Sequence, residues 1–248
     1  MYGNLYLVST PIGNLEDLTF RAVKVLSSVD IILAESVERT KKLLSHYDID
    51  TKVISFNKDN EKRKIKNAVH CLKESKNIAL VSDAGTPCVS DPGFYLLSNI
   101  DEEIKIIPIP GVSSITCALS VSKIPMNGFT FLGFLPKKEN DRKNKLLQAY
   151  SSELPLCIFE SKHRLLDLFE EISSIFGEDT LVGLFREMTK IYETITHKSV
   201  TEHIFDLKKN APKGEFVIIV APNRHTEIEK PYISIIKRLI LKNFSNKD

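Results

Sequence analysis

The chain has 248 residues, 42% of them hydrophobic and 27% charged, with a formal net charge of +2. That makeup is ordinary for a soluble globular protein of two compact domains or one large one, and the near-neutral charge permits nucleic-acid binding without demanding it. No apolar run approaches the roughly 20 residues that span a bilayer, no basic stretch followed by an apolar core opens the chain, and Cys71, Cys88, Cys117 and Cys157 are too scattered for a zinc or disulfide framework. Free buried thiols in a reducing, cytoplasmic setting are therefore expected, with no membrane segment.

A first strand is expected over 5–9, running into the loop Thr10-Pro-Ile-Gly-Asn-Leu-Glu-Asp17. A helix over 18–26 places Leu18, Ala22, Val25 and Leu26 on one face. A strand over 31–34 ends at Glu35, and a short helix over 40–47 turns Leu43 and Leu44 inward. A third strand is expected over 53–56, then a basic amphipathic helix over 61–74. The fourth, 78–81, enters the most shaped stretch of the chain, Ser82-Asp-Ala-Gly-Thr-Pro-Cys-Val-Ser-Asp-Pro-Gly93. Glycine opens backbone conformations closed to other residues and proline fixes φ, so this is a built loop at the carboxyl end of a strand, where open α/β sheets hold ligands. A helix starts over 94–98, and a fifth strand covers 105–109. The β-α-β rhythm predicts a mainly parallel sheet with helices on both faces.

Pro110 and Gly111 break that strand, and Ser113 or Ser114 can cap the helix that continues through 118–122. The domain junction is placed here: an N-terminal α/β domain over 1–111, a C-terminal α/β domain over 112–225, and a basic helix and tail over 226–248. In the second half, strands are expected over 129–134, 156–159, 181–185 and 215–220, with 191–196 pairing beside the third of these. The segment 137–145 is polar and basic, and Lys137, Lys138, Arg142, Lys143 and Lys145 read as a solvated loop face. Over 164–176, Leu165, Leu168, Phe169, Ile172 and Phe176 fall at helical spacing, and 200–208 is a further helix. A short basic amphipathic helix is expected over 233–241, followed by a frayed end over 242–248.

The chemistry-bearing motifs narrow the function. The chain has no G-x-x-x-x-G-K-[ST], no G-x-G-x-x-G, no H-E-x-x-H and no G-x-S-x-G. That disfavours a P-loop hydrolase, a dinucleotide enzyme, a zinc protease and a serine hydrolase, and no metal site is expected. Loops at Pro11-Ile-Gly13 and Asp83-Ala-Gly85 point to one edge of a parallel sheet and suit a nucleoside-like or small polar ligand held largely by backbone. Charged clusters end three other strands: Glu35, Glu160-Ser-Lys-His-Arg164 and Arg186-Glu-Met-Thr-Lys190. Each reads equally well as a structural ion-pair network or as catalytic machinery.

Seven motifs then occur in register: Ser9-Thr-Pro-Ile-Gly-Asn-Leu15, Ser82-Asp-Ala-Gly-Thr-Pro87 with Ser90-Asp-Pro-Gly93, Pro110-Gly-Val-Ser-Ser114, Gly133-Phe-Leu-Pro-Lys137, Phe159-Glu-Ser-Lys-His-Arg164, Arg186-Glu-Met-Thr-Lys190 and Gly214-Glu-Phe-Val217. Together they resemble the bacterial small-subunit rRNA 2′-O-ribose cytidine methyltransferases of the tetrapyrrole (corrin/porphyrin) methylase superfamily. The resemblance implies two α/β domains with S-adenosyl-L-methionine in the cleft between them, a homodimer, and small-subunit ribosomal RNA as partner. It implies cofactor contacts at Pro11, Asp83, Ala84, Gly85, Ser113, Ser114, Phe159, Ala211 and Pro212. Glu35, Glu160, Glu187 and Lys190 become the catalytic candidates, and His163, Arg164 and Arg186 the substrate-binding ones. The chain departs from the family pattern at Ser36-Val-Glu38, at Asn57-Lys-Asp59 and at Lys162, where the family carries proline. Those departures keep two other readings open: a methyltransferase of the same fold acting on a tetrapyrrole-like molecule or another RNA, and a non-catalytic RNA-binding protein.

Overall fold

A computed structural model of the chain describes residues 2–222; the expected helix over 233–241 and the tail lie outside the described residues. The N-terminal half builds five parallel strands, β1 (Leu5–Val8), β2 (Ile31–Ala34), β3 (Val53–Ser55), β4 (Ile78–Val81) and β5 (Ile106–Ile109), in the order β3-β2-β4-β1-β5. Strand side chains alternate between faces. Val8, Ile32, Ala34, Ala79 and Val81 pack under α1 (Phe20–Ser28) and α2 (Val37–His46). Leu5, Ile31, Leu33, Ile78 and Leu80 pack under α3 (Glu61–Lys73) and α4 (Phe94–Leu97). The expected β-α alternation is thus borne out, with both faces of the sheet covered.

Local sequence sets the helix starts. The Thr19 side chain accepts from Ala22 N at the head of α1, and the Ser36 side chain accepts from Arg39 N at the head of α2. Ser113 occupies the N-cap position of α5 (Ser114–Ser120), but its side chain makes no capping bond. α5 leaves the first sheet behind: Ile115 and Ala118 pack with Cys157, Phe185, Val217 and Ile219 of the second.

That second sheet holds β6 (Thr130–Phe134), β7 (Leu156–Ser161), β8 (Leu181–Arg186), β9 (Thr194–Ser199) and β10 (Glu215–Val220), in the order β6-β7-β10-β8-β9. Only β6 and β7 run parallel; the other neighbours are antiparallel. The strand beside β8 lies over 194–199 instead of 191–196, because the loop 187–193 is spent on a turn. α7 (Leu165–Phe176) buries Leu165, Leu168, Phe169, Ile172 and Phe176 at 0–2% exposure, as its spacing predicts. α8 (Val200–Lys209) starts on a capping box between Ser199 and Glu202.

Two expectations fail. The basic segment 137–145 is not a loop: it carries α6 (Glu139–Tyr150). Arg142 points inward, buried, and grips Glu171 of α7 through two bonds of 2.6 and 2.7 Å, while its remaining nitrogen donates to the carbonyl of Lys137 at 3.1 Å. Of the four thiols only Cys157 is fully buried, and burial pushes it up to about 12; the other three are half-buried.

Candidate active-site cleft

In the first sheet β1 and β4 lie side by side, so the loops after them meet. Thr10 and Gly85 exchange both backbone bonds, each 2.9 Å, and the Thr10 hydroxyl donates to Ser82 O at 3.2 Å. Gly85 holds φ +77°, a conformation that costs most other residues steric strain. Next to this bridge, Asp83 is fully engaged. Its Oδ1 accepts from Ser36 N at 2.9 Å, its Oδ2 faces the Arg39 guanidinium at 3.2 Å, and its own N–H donates to Glu35 Oε2 at 3.4 Å. The ends of β2 and β4 are thereby locked together, and Arg39 reaches the site.

The remainder of the loop is held open against its backbone preference. Cys88 and Ser90 adopt φ near +68° without being glycine, which costs on the order of 1 kcal/mol each or more. Outside contacts compensate: buried Glu61 accepts from Gly93 N at 3.2 Å, and Lys58 Nζ donates to Ser90 O at 3.3 Å. The result presents Asp91 to the cavity. Burial first, then the neighbouring Glu35 and more weakly Asp83, push its carboxyl from 3.8 up to about 6, against the opposing pull of a Ser82 hydrogen bond and Lys58.

The second sheet supplies the facing wall. Phe159 stands edge-on to Phe131 at 5.1 Å and tilted to Phe134 at 5.5 Å. Glu160, 2% exposed, accepts at Oε1 from Ser161 N and from Arg164 Nε, at 2.6 and 2.9 Å. Its Oε2 has no partner, an unusual state for a buried carboxylate oxygen. After β8, Glu187 and Thr189 both take positive φ and fold the chain into a tight turn. There Glu187 Oε1 accepts from Glu215 N at 2.8 Å, and Lys190 Nζ lies 3.1 Å from Glu187 and 2.7 Å from Glu215 Oε2. Burial works against charge on both groups. The hydrogen bonds and mutual attraction outweigh it, holding Glu187 below the usual carboxylate range and Lys190 above the usual lysine range. Lys190 is accordingly a cation at neutral pH, unsuited to the role of base.

Between these walls lies a cavity of about 730 Å³. The first half lines it with Ile12, Glu35, Arg39, Asp83, Ala84, Val89, Ser90 and Asp91; Ser114 comes from α5; the second half adds Phe134, Phe159, Glu160, Ser161, Lys162, His163, Phe185, Glu187, Met188, Lys190 and residues 214–217. The two halves touch at Gly13, where an added Cβ would sit 2.4 Å from Lys190 Cγ. Among the described residues no group of three His, Cys, Asp or Glu side chains is arranged to hold a metal, and no helix is long and apolar enough to cross a membrane.

Of the residues singled out in the sequence, Glu35, Asp83, Ala84, Ser114, Phe159, Glu160, His163, Glu187 and Lys190 share this cavity. Pro11, Gly85, Ser113, Ala211 and Pro212 do not line it. Pro11 is buried and Gly85 shapes the bridge, whereas Ala211 is exposed. Arg164 and Arg186 are spent elsewhere: Arg164 on Glu160 and the carbonyls of Leu135 and Pro136, Arg186 on the Lys213 carbonyl. Asp91, Arg39, Lys162 and Met188 belong to the lining although the sequence did not single them out for it. The Ser90-Asp-Pro-Gly93 turn was the available signal for Asp91.

The family described as Tetrapyrrole (Corrin/Porphyrin) Methylases matches residues 4–203. A protein of Halalkalibacterium halodurans named "Ribosomal RNA small subunit methyltransferase I" is 43% identical over 222 residues, covering 89% of this chain and 76% of that one. Proteins of the same name from Escherichia coli O157:H7 (41%, covering 92% and 81%) and Thermotoga maritima (43%, covering 88% and 98%) are similarly close. Among solved structures, uroporphyrin-III C-methyltransferase from Thermus thermophilus superposes with a TM-score of 0.63 at 15% identity, covering 88% of this chain and 97% of that one. A cobalt precorrin-4 methyltransferase superposes at 0.61 with 17% identity, covering 88% and 94%.

Proposed function

The chain belongs to the tetrapyrrole methylase family, and from that premise we propose that its cleft transfers a methyl group from S-adenosyl-L-methionine to a cytidine ribose 2′-hydroxyl of small-subunit ribosomal RNA. The names of the relatives support the RNA acceptor. The observation that carries the reading is the cleft: about 730 Å³, wide enough for a nucleoside-sized donor together with an acceptor nucleotide, with three acids and one paired arginine on one wall and both signs of charge on the other.

The residues fit the donor. Glu35 and Asp91 present negative charge to a cation and acceptors to ribose hydroxyls, on a loop end that Asp83 holds in place. Phe159, Phe134 and Met188 give an apolar bed for a purine, and the free Glu160 Oε2 can accept one hydrogen bond from an amine or hydroxyl. When bound, S-adenosyl-L-methionine supplies a methyl group already activated by its sulfonium charge. Positioning does much of what remains, and the shaped loop over 82–93 and the turn over 187–190 provide it. Asp91 accepts the proton that the 2′-hydroxyl gives up, since a carboxylate titrating near 6 is still mostly ionised at neutral pH and is a stronger base than an ordinary one. Lys190, held charged between Glu187 and Glu215, orients the acceptor, and exposed Lys162 and His163 at the lip meet its phosphates. A homodimer in the cytoplasm is the working form in this reading; Phe20 and Ile191, 97% and 95% exposed, support an association that sedimentation velocity would check.

The test is methyl transfer from labelled S-adenosyl-L-methionine to small ribosomal subunits lacking native ribose methylation, followed by nucleoside digestion and mass spectrometry. The expected product is 2′-O-methylcytidine. Donor binding by calorimetry with no labelled RNA would overturn the acceptor and leave a methyltransferase with another substrate.

A further inference from the structure

The net charge of +2 hides a concentrated basic surface. Between Glu61 and Lys73, α3 carries Lys62, Arg63, Lys64, Lys66, His70 and Lys73, and its one acid, Glu61, is buried on Gly93 N. Some of these cations are occupied: Lys64 by the Ser55 carbonyl, His70 by Glu74 and Lys73 by Asp101. Lys58, just ahead of the helix, is held by the Ser90 carbonyl and faces Asp91, whereas Lys62, Arg63 and Lys66 are exposed and have no carboxylate partner among the described residues. Three neighbouring cations without counter-charge repel one another, so the folded chain maintains them against an electrostatic cost that a polyanion would relieve.

This surface adjoins the mouth of the cleft. Glu61 pins Gly93, Lys58 donates to Ser90 O, and Lys62 Nζ stands 4.8 Å from the centre of the Tyr95 ring. Ser90 and Asp91, in the same loop, line the cavity. Beside Tyr95, Phe94 is 70% exposed, with its ring 6.1 Å away and edge-on. An exposed aromatic next to unpaired cations is the arrangement that grips single-stranded nucleic acid, bases stacking on the ring while the cations track phosphates. The Tyr95 ring steadies the Lys62 ammonium without neutralising it. Across the mouth, exposed Lys162 and His163 offer a second hold.

We propose that the first turns of α3 with Phe94 and Tyr95 form the landing surface for an unpaired RNA strand, which then passes over the cavity mouth toward Lys162 and His163. This rests on the reading of RNA as the acceptor and adds to it the path the strand takes. The strand is unpaired because Phe94 needs a free base face and because one nucleotide must leave its neighbours to enter the cleft.

The test compares the native chain with Lys62→Glu/Lys66→Glu, with Phe94→Ala, and with a matched reversal at Lys24 and Lys105, exposed positions outside this surface. Binding is read by fluorescence anisotropy on a labelled single-stranded RNA dodecamer at 50–200 mM salt, and methyl transfer on whole small subunits. The double reversal should weaken RNA binding at least tenfold and flatten the log–log salt slope by about 1.4, two phosphates at ~0.7 each. Phe94→Ala should weaken binding without changing the slope, and donor affinity by calorimetry should stay within twofold in every variant. An unchanged slope in the double reversal, or an equal loss in the Lys24/Lys105 control, overturns the landing surface. So does a loss seen with whole subunits but not with naked RNA, which would assign the patch to a ribosomal protein. If the native chain methylates subunits while the double reversal behaves identically, the path is wrong and the RNA reading stands. If the native chain transfers nothing to RNA, both fall.

Discussion

Replacing Asp91 with Asn separates the cost of the cleft from its use. The Asp91 carboxyl titrates near 6 in the folded chain against an ordinary 3.8, so folding favours its protonated form. The stability it contributes is therefore complete below about pH 3.8 and is lost as pH rises through about 6. At 1.36 kcal/mol per pH unit the gap corresponds to about 3 kcal/mol. Asp91 is only part-buried, so solvent screens this and roughly 1–2 kcal/mol survives. Asn keeps the shape and cannot ionise. At pH 8 Asp91→Asn should be the more stable chain by about 1–2 kcal/mol, a rise of about 2–8 °C in Tm for a protein of this size. The two chains should converge toward pH 4. Calorimetric melts of both proteins across pH 4–8 measure the gap directly, and methyl transfer by the variant should fall about 10²–10⁴-fold. A stability gap that does not change with pH, or a variant less stable at pH 8, refutes the reasoning about the carboxylate cluster.

Three further outcomes are expected. Asp83→Ala removes the acceptor of Ser36 N and the partner of Arg39, so donor affinity by calorimetry should drop at least tenfold; an unchanged Kd takes Asp83 out of the donor site. Gly214→Ala puts a Cβ 2.6 Å from the Glu187 carboxylate at a backbone φ of +102°; this should displace Glu187 from Lys190 and cut the transfer rate about tenfold or more, with native-like activity counting against the Glu187–Lys190–Glu215 cluster. Arg142→Met leaves Glu171 buried and unpaired and should cost about 3–5 kcal/mol in denaturant melts, while adding Glu171→Leu should recover most of it; additive losses would contradict the buried-pair account.

The parallel half of the fold was legible because its strands are short apolar runs buried on both faces, separated by helices with clear periodicity. α6 was not. Its sequence, Glu139-Asn-Asp-Arg-Lys-Asn-Lys-Leu-Leu, places a charge at an inward position, and a hydropathy pattern reads Arg142 as surface. Only Glu171, 29 residues on, makes that position tolerable, and local sequence contains no trace of the pairing. The same blindness affected the site. Arg164 and Arg186 look like phosphate grips until the carbonyls of Leu135, Pro136 and Lys213 are seen to occupy them. Asp91 looked like a turn residue, because what makes it chemical is its burial in the cleft and then the neighbouring charge of Glu35, 56 positions earlier. What could be read was the backbone: Gly85, Gly93 and Gly214 advertise the unusual conformations they hold.

The place of β1 in its sheet has a consequence for biosynthesis. Leu5–Val8 lies between β4 and β5, so neither of its edges has a partner until residues 78–81 and then 106–109 have been made. At 5–20 residues per second, roughly seventy residues of synthesis leave both edges of that strand unpaired for on the order of 4–15 s, and roughly a hundred leave its second edge open for on the order of 5–20 s. Through the first of these intervals the nascent chain carries an apolar strand with two open edges, the kind of segment that chaperones shield and that aggregates when they do not. A sheet whose first-made strand lies in its interior closes only after its last strand has been delivered.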